Sequence, residues 1–237
     1  MVDYRKLRPN NLCSPEFKHL LLLLYWPLYG LTFWLLERGL KLNYHAIESA
    51  FDSRIPFCEY FVIPYYFWFV FLAAIHIYTL LFDIPTFKKL MYFIIITYTI
   101  TTLIYIVYPN KQELRPTEFA RDNIFVEIVK RLYNFDTNTN VCPSLHVIGS
   151  FAVLFTTWQC DRFKKAIHQV WLITSTVLIS ISTVFLKQHS VIDIIAALAV
   201  CAVAYPFAYI LPDKLSKIKR KETAKGENVS ARNIKAQ

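Results

Sequence analysis

Six apolar stretches dominate this chain, and each must be buried in protein or lipid. They cover approximately 19–36, 61–82, 90–108, 146–160, 166–186 and 191–211. A helix needs about 20 such residues to cross a hydrocarbon core roughly 30 Å thick. The six therefore predict an all-α, polytopic helical bundle with six transmembrane helices. The fourth stretch is the shortest and carries Thr156, Thr157 and Gln159. The first is too long for a signal peptide and lacks a small-residue cleavage site, so it reads as a retained span. Pro27 and Pro206 fall inside spans, where neighbouring helices can satisfy the freed carbonyls.

Composition supports a bilayer over a soluble core: 55% of residues are hydrophobic and 16% aromatic. The net charge of +9 raises a nucleic-acid reading, but the charge gathers in short loops and in the tail after Pro212. That pattern suits anionic lipid headgroups, and no nucleic-acid partner is expected. With the N-terminus inside, 17 Lys and Arg fall on the inner side and 9 on the outer. The expected organisation is a cytoplasmic segment 1–18, a transmembrane domain 19–212, and a basic, disordered cytoplasmic tail 213–237. With Met1 in place and no sorting signal, the expected setting is a bacterial plasma membrane. The five cysteines form no metal-ligand pattern, and a Cys58–Cys142 bridge depends on an oxidising outer compartment.

Alternation of the spans brings distant polar residues to one level. The third span ends near Lys111 and Arg115, and the fourth begins at Pro143-Ser144-Leu145-His146. The fifth ends at Lys187-Gln188-His189, with Asp193 one turn into the sixth. Ionisable residues at helix mouths facing a bundle interior are functional candidates. Arg115 and Lys187 offer permanent positive charge to an anion. Ser144 and the backbone at the start of the fourth helix add donors. His189 and Asp193 stand four apart, on one helical face, so the carboxylate can hold one imidazole nitrogen and leave the other free to attack. The constellation reads as phosphoryl transfer through a phosphohistidine.

At these residues the chain resembles the type 2 phosphatidic acid phosphatase superfamily, whose signatures are K-x6-RP, PSGH and SR-x5-H-x3-D. Arg115-Pro116 matches the end of the first, Pro143-Ser144-Leu145-His146 the second, and Ser182, His189 and Asp193 the spacing of the third. The resemblance implies a haloperoxidase-like helical core with His189 as nucleophile, Asp193 as its orienting partner and His146 as acid and base. It also implies Arg115 and Ser144 as phosphate-binding groups and a lipid phosphate as substrate in the membrane. No cofactor and no metal are implied. Three positions depart from the pattern: Tyr108 for Lys, Leu145 for Gly and Thr183 for Arg. Lys111 and Lys187 are the replacement charges, with Lys187 favoured for its closeness to His189. The PSLH form looks more like the inositol-phosphoceramide-synthase branch, which leaves the acceptor open between water and another hydroxyl. A non-catalytic transporter or lipid-binding protein is the competing class. It would place ionisable groups near the bilayer midplane, where this chain has little beyond His76 and His168. The segment 52–57 reads either as a lipid entrance or as a plain interfacial loop.

Overall fold

The computed structural model describes residues 2–39 and 42–217. The expected disorder of the tail falls largely on residues outside these, while the last helix continues as far as Lys217. Seven α-helices carry the fold: α1 (Tyr25–Trp34), α2 (Val62–Phe82), α3 (Ile84–Val107), α4 (Ile124–Phe135), α5 (Leu145–Gln159), α6 (Ala166–Phe185) and α7 (Val191–Tyr205). Short irregular helical turns extend α1 at both ends and continue α7 beyond Pro206. Two two-residue strands, β1 (His45–Ala46) and β2 (Asn110–Lys111), pair in parallel.

Among the described residues, five helical stretches are long and apolar enough to cross a membrane: Lys18–Gly39, Glu59–Phe82, Ile84–Val107, Ala166–Phe185 and Val191–Lys217. This is the character of an integral membrane protein. The stretch expected at 146–160 is α5, whose 15 residues make a rod about 22 Å long. α5 packs against α2, α3, α6 and α7. Surrounded in this way, it meets neighbours and little lipid, and so tolerates Ser150, Thr156 and Thr157 in its length. Ser150 Oγ donates to the His146 carbonyl at 2.7 Å, and Thr157 Oγ1 to Leu154 at 2.8 Å. Such back-bonding satisfies hydroxyls where no water is available.

The core follows from this layout. Trp68, Phe71, Phe93, Tyr98, Ile148 and Ile179 are among the side chains buried between helices. Leu28, Ile63, Val70, Leu103, Val170 and Ile195 are exposed on the outside, where a bilayer would cover them. At one end of the bundle Lys89 pairs with Asp213 at 2.7 Å and Tyr4 donates to the Leu80 carbonyl at 2.7 Å. The opposite end holds the β-pair, α4 and the turn between α6 and α7. α4 was not among the expected elements. Asn123 caps it by accepting from the Phe125 and Val126 amides, both at 3.0 Å. It buries Val126, Val129 and Leu132 and turns Lys130 and Arg131 outward. The five cysteines are free, so the Cys58–Cys142 bridge is not formed.

Candidate active site

The turn between α6 and α7 sets the geometry. The Gln188 amide donates to the Thr183 carbonyl at 2.9 Å and the Lys187 amide to Val184 at 3.1 Å, a Schellman closure of α6. Lys187 occupies the position that favours glycine, with φ 53°. Two residues later Ser190 caps α7, its hydroxyl accepting from the Ile192 amide at 3.2 Å. Asp193 closes the reciprocal half of the box, accepting the Ser190 amide at 3.0 Å. The same Oδ2 lies 3.0 Å from His189 Nδ1. An ionised carboxylate only accepts, so the proton sits on Nδ1 and Nε2 is the ring nitrogen with a free lone pair.

His146 enters from the first turn of α5. Its ring is wedged between Tyr65, at 4.1 Å between centroids, and Trp68, at 4.5 Å, and stands 6.1 Å from the His189 ring. His146 Nε2 is buried with no hydrogen-bond partner. Both imidazoles line a cavity of about 330 Å³ together with Asp136, Asn140, Gln188 and aromatic side chains from α1, α2 and α3. The Leu145 and His146 amides, at the start of α5, have no intrahelical acceptor and lie at the positive end of its dipole.

The remaining expected site residues are placed differently. Ser144 is fully buried; its amide donates to the Asp193 carbonyl at 3.2 Å, joining the starts of α5 and α7, and its hydroxyl has no partner. The Arg115 guanidinium is held by the carbonyls of Tyr133, Asp136 and Thr137 at 3.1, 3.0 and 2.8 Å. It also donates to Gln188 Oε1 at 2.5 Å and stacks on the Tyr133 ring at 4.6 Å. Burial lowers its pKa from the usual arginine value, but the group keeps its charge. Arg115 therefore stands behind Gln188 and not on the cavity wall. Lys187 points away: its ammonium donates to the carbonyls of Asp52 at 2.7 Å and Ile55 at 2.5 Å. Lys111 pairs with Glu113. Among the described residues, no Lys or Arg lines the cavity.

Four further residues complete the site. Asp52, on the connection from α1 to α2, is buried and accepts from Ser190 Oγ at 2.6 Å and the Val191 amide at 2.9 Å. The segment 52–57 is thus tied to the turn that carries His189. Asp136 faces the two histidines and accepts from Tyr65 Oη at 3.1 Å. Burial raises its carboxyl pKa, against the nearby His189, the Tyr65 hydroxyl and Arg115. Asn140 and Gln188 line the same cavity. The polar run from Asp136 to Asn140, directly before the PSLH stretch, was the available signal for two of them. Among the described residues, no three His, Cys, Asp or Glu side chains converge as a metal site.

The PAP2 superfamily matches this chain over residues 86–217. No curated protein and no solved structure matches it. The matched stretch runs from the first turn of α3 to the end of the last helix and contains His146, His189 and Asp193. The protein belongs to the PAP2 superfamily.

Proposed function

We propose that this protein is a metal-independent lipid phosphatase working through a phosphohistidine on His189. The reading is carried by one observation: His189, oriented by Asp193 at 3.0 Å, shares a cavity with the unpartnered Nε2 of His146. The Nε2 lone pair attacks phosphorus, and the bond from phosphorus to the lipid oxygen breaks. His146, protonated, gives its proton to that leaving oxygen. Neutral His146 then takes a proton from water as it attacks, the P–N bond breaks, and inorganic phosphate leaves with His189 restored. Asp193 stabilises the imidazolium character that develops on His189.

Charge on the phosphoryl oxygens is met by the first amides of α5 and by Gln188 Nε2. The Gln188 oxygen accepts from Arg115, so the guanidinium charge polarises the amide toward the cavity. α5 makes the sixth crossing in this reading, since Gln159 at its far end accepts from Lys89 near the start of α3. The basic-residue bias supports a site at the outer face with both termini in the cytoplasm. A second reading, transfer of the phosphoryl group to a hydroxyl, is favoured by the carboxylate of Asp136 beside the histidines.

Phosphate release from a panel of lipid phosphomonoesters and diphosphates, by purified protein with EDTA present, tests the proposal. Release that persists in EDTA and disappears in His189→Ala supports it. Equal behaviour of parent and variant would remove it.

A further inference from the structure

The Asn110 side chain is fully buried, yet it does not line the cavity. Its Oδ1 accepts from the Val141 amide at 2.9 Å and the Cys142 amide at 2.8 Å. Its Nδ2 donates to the Cys142 carbonyl at 2.9 Å and the Tyr108 carbonyl at 3.0 Å. A carboxamide has two acceptor and two donor positions, and all four are taken. The two amides can only donate and the two carbonyls can only accept, so the orientation of the group is fixed. An aliphatic side chain at this position would leave those backbone groups unpaired inside the protein.

β2, which carries Asn110, lies between two partners. On one edge the His45 amide donates to the Pro109 carbonyl at 2.9 Å and the Ile47 amide to Lys111 at 2.8 Å. On the other the Asn140 amide donates to Asn110 at 2.6 Å and the Gln112 amide to Asn138 at 2.9 Å. Residues 138–142 are therefore laid along β2, and the Asn110 side chain holds the last two of them. Pro143 follows, its carbonyl accepting from Tyr105 Oη at 2.7 Å, and α5 begins at Leu145. The Ile148 amide donates to Ser144 at 3.1 Å, so the first turn of α5 moves as one piece with the residues before it. His146 lies in that turn. Its Nε2 makes no hydrogen bond, so the ring is placed by packing against Tyr65 and Trp68 and by the backbone that carries it.

We propose that Asn110 is a positioning residue for the reaction: through Val141 and Cys142 it fixes the start of α5, and with it the His146 ring and the Leu145 and His146 amides. Asn110 stands outside the cavity, so it acts only through these groups. The inference rests on the phosphohistidine reading for what those groups do, and on the hydrogen bonds alone for where they are held.

Two measurements on the full-length protein in detergent test this. The first needs no activity: carbethoxylation of histidines by diethyl pyrocarbonate, read residue by residue by mass spectrometry. In Asn110→Ala, His146 is expected to react at least about fivefold faster than in the parent, while His76, buried on α2, stays within about twofold. Thr156→Val is the control. It removes the hydroxyl that meets Tyr209 Oη at 2.9 Å, roughly 15 Å further along α5, and should leave His146 labelling within about twofold of the parent. Equal acceleration of His146 and His76 overturns the proposal, as does equal acceleration of His146 in the control. Unchanged labelling of His146 in Asn110→Ala overturns it too. The second measurement is phosphate release. In Asn110→Ala kcat should fall roughly 10- to 100-fold, with KM within about threefold of the parent. An unchanged kcat, a loss confined to KM, or the same fall in Thr156→Val overturns the proposal. If Asn110→Ala does not fold, Asn110→Asp, which still accepts from both amides, is read by the same criteria. The labelling keeps the two readings apart. Faster labelling of His146 in a protein whose parent releases no phosphate upholds the positioning and removes only the phosphohistidine. Unchanged labelling beside an active parent removes only the role of Asn110.

Discussion

The Asp52 carboxylate accepts a 2.6 Å hydrogen bond from the Ser190 hydroxyl, 138 residues further along the chain. It also accepts from the Val191 amide at 2.9 Å and the Ser49 amide at 2.7 Å, using both oxygens. Lys187 closes the other side on the Asp52 and Ile55 carbonyls. His189 lies between the two ties, so the position of its ring depends on a loop from the far end of the sequence. An amide at position 52 would turn a donor toward at least one buried donor, at a cost of about 1–3 kcal/mol. Asp52→Asn is expected to lower the unfolding temperature and to reduce kcat by roughly 10- to 100-fold with a smaller change in KM. Steady-state kinetics on the detergent-purified variant checks this; a change confined to KM would contradict this dependence.

Asp193→Asn tests the charge behind His189. With its oxygen in the place of Oδ2, the Asn accepts both the Ser190 amide and His189 Nδ1–H, so the helix cap and the tautomer survive. The negative charge that would stabilise imidazolium character on His189 is lost. A fall in kcat of roughly 10- to 100-fold is expected with little change in thermal stability. Trapping of radiolabelled phosphate on the protein should fall in parallel.

Gly149 permits a close approach that positions His146. A Cβ there would stand 2.7 Å from Trp68 Nε1 and 2.8 Å from its Cζ2. The Trp68 ring in turn packs on His146 at 4.5 Å. Gly149→Ala must displace the indole, at about 1–3 kcal/mol. Lower thermal stability and lower phosphate release together are expected. An unaltered unfolding temperature would show that the indole moves freely.

Asp136 carries a pH signature. Burial raises its carboxyl pKa in the folded protein above the unfolded value. The folded state therefore holds this proton to higher pH. The stability this contributes is full below the ordinary carboxylate pKa and is lost as pH rises through the raised one. Asp136→Asn removes that dependence. Relative to the parent, the variant should gain thermal stability as pH rises from the ordinary carboxylate value of about 4 towards neutrality. A parent-to-variant difference that stays constant over this range would count against a buried, ionising Asp136.

Much of the architecture was legible along the chain because hydropathy is a local property. The apolar runs marked the helices, and their alternation alone required Ser144, His146, His189 and Asp193 to meet at one end of the bundle. The four-residue spacing of His189 and Asp193 likewise implied their contact, since helical periodicity is local. The fourth stretch read as the shortest span, with polar residues toward its far end, and α5 is a short helix enclosed by four others. Enclosure depends on neighbours and not on the residues of the helix itself. The basic residues separated most clearly. Arg115, Lys111 and Lys187 share the level of the site, yet each charge is taken up elsewhere: by backbone carbonyls, by Glu113, and by the 52–55 loop. Whether a long cation reaches a cavity or a carbonyl depends on which distant backbone arrives beside it. In the same way only the tertiary structure turned Asp136, Asn140 and Gln188 toward the imidazoles, because contacts between remote segments leave no periodicity in the sequence.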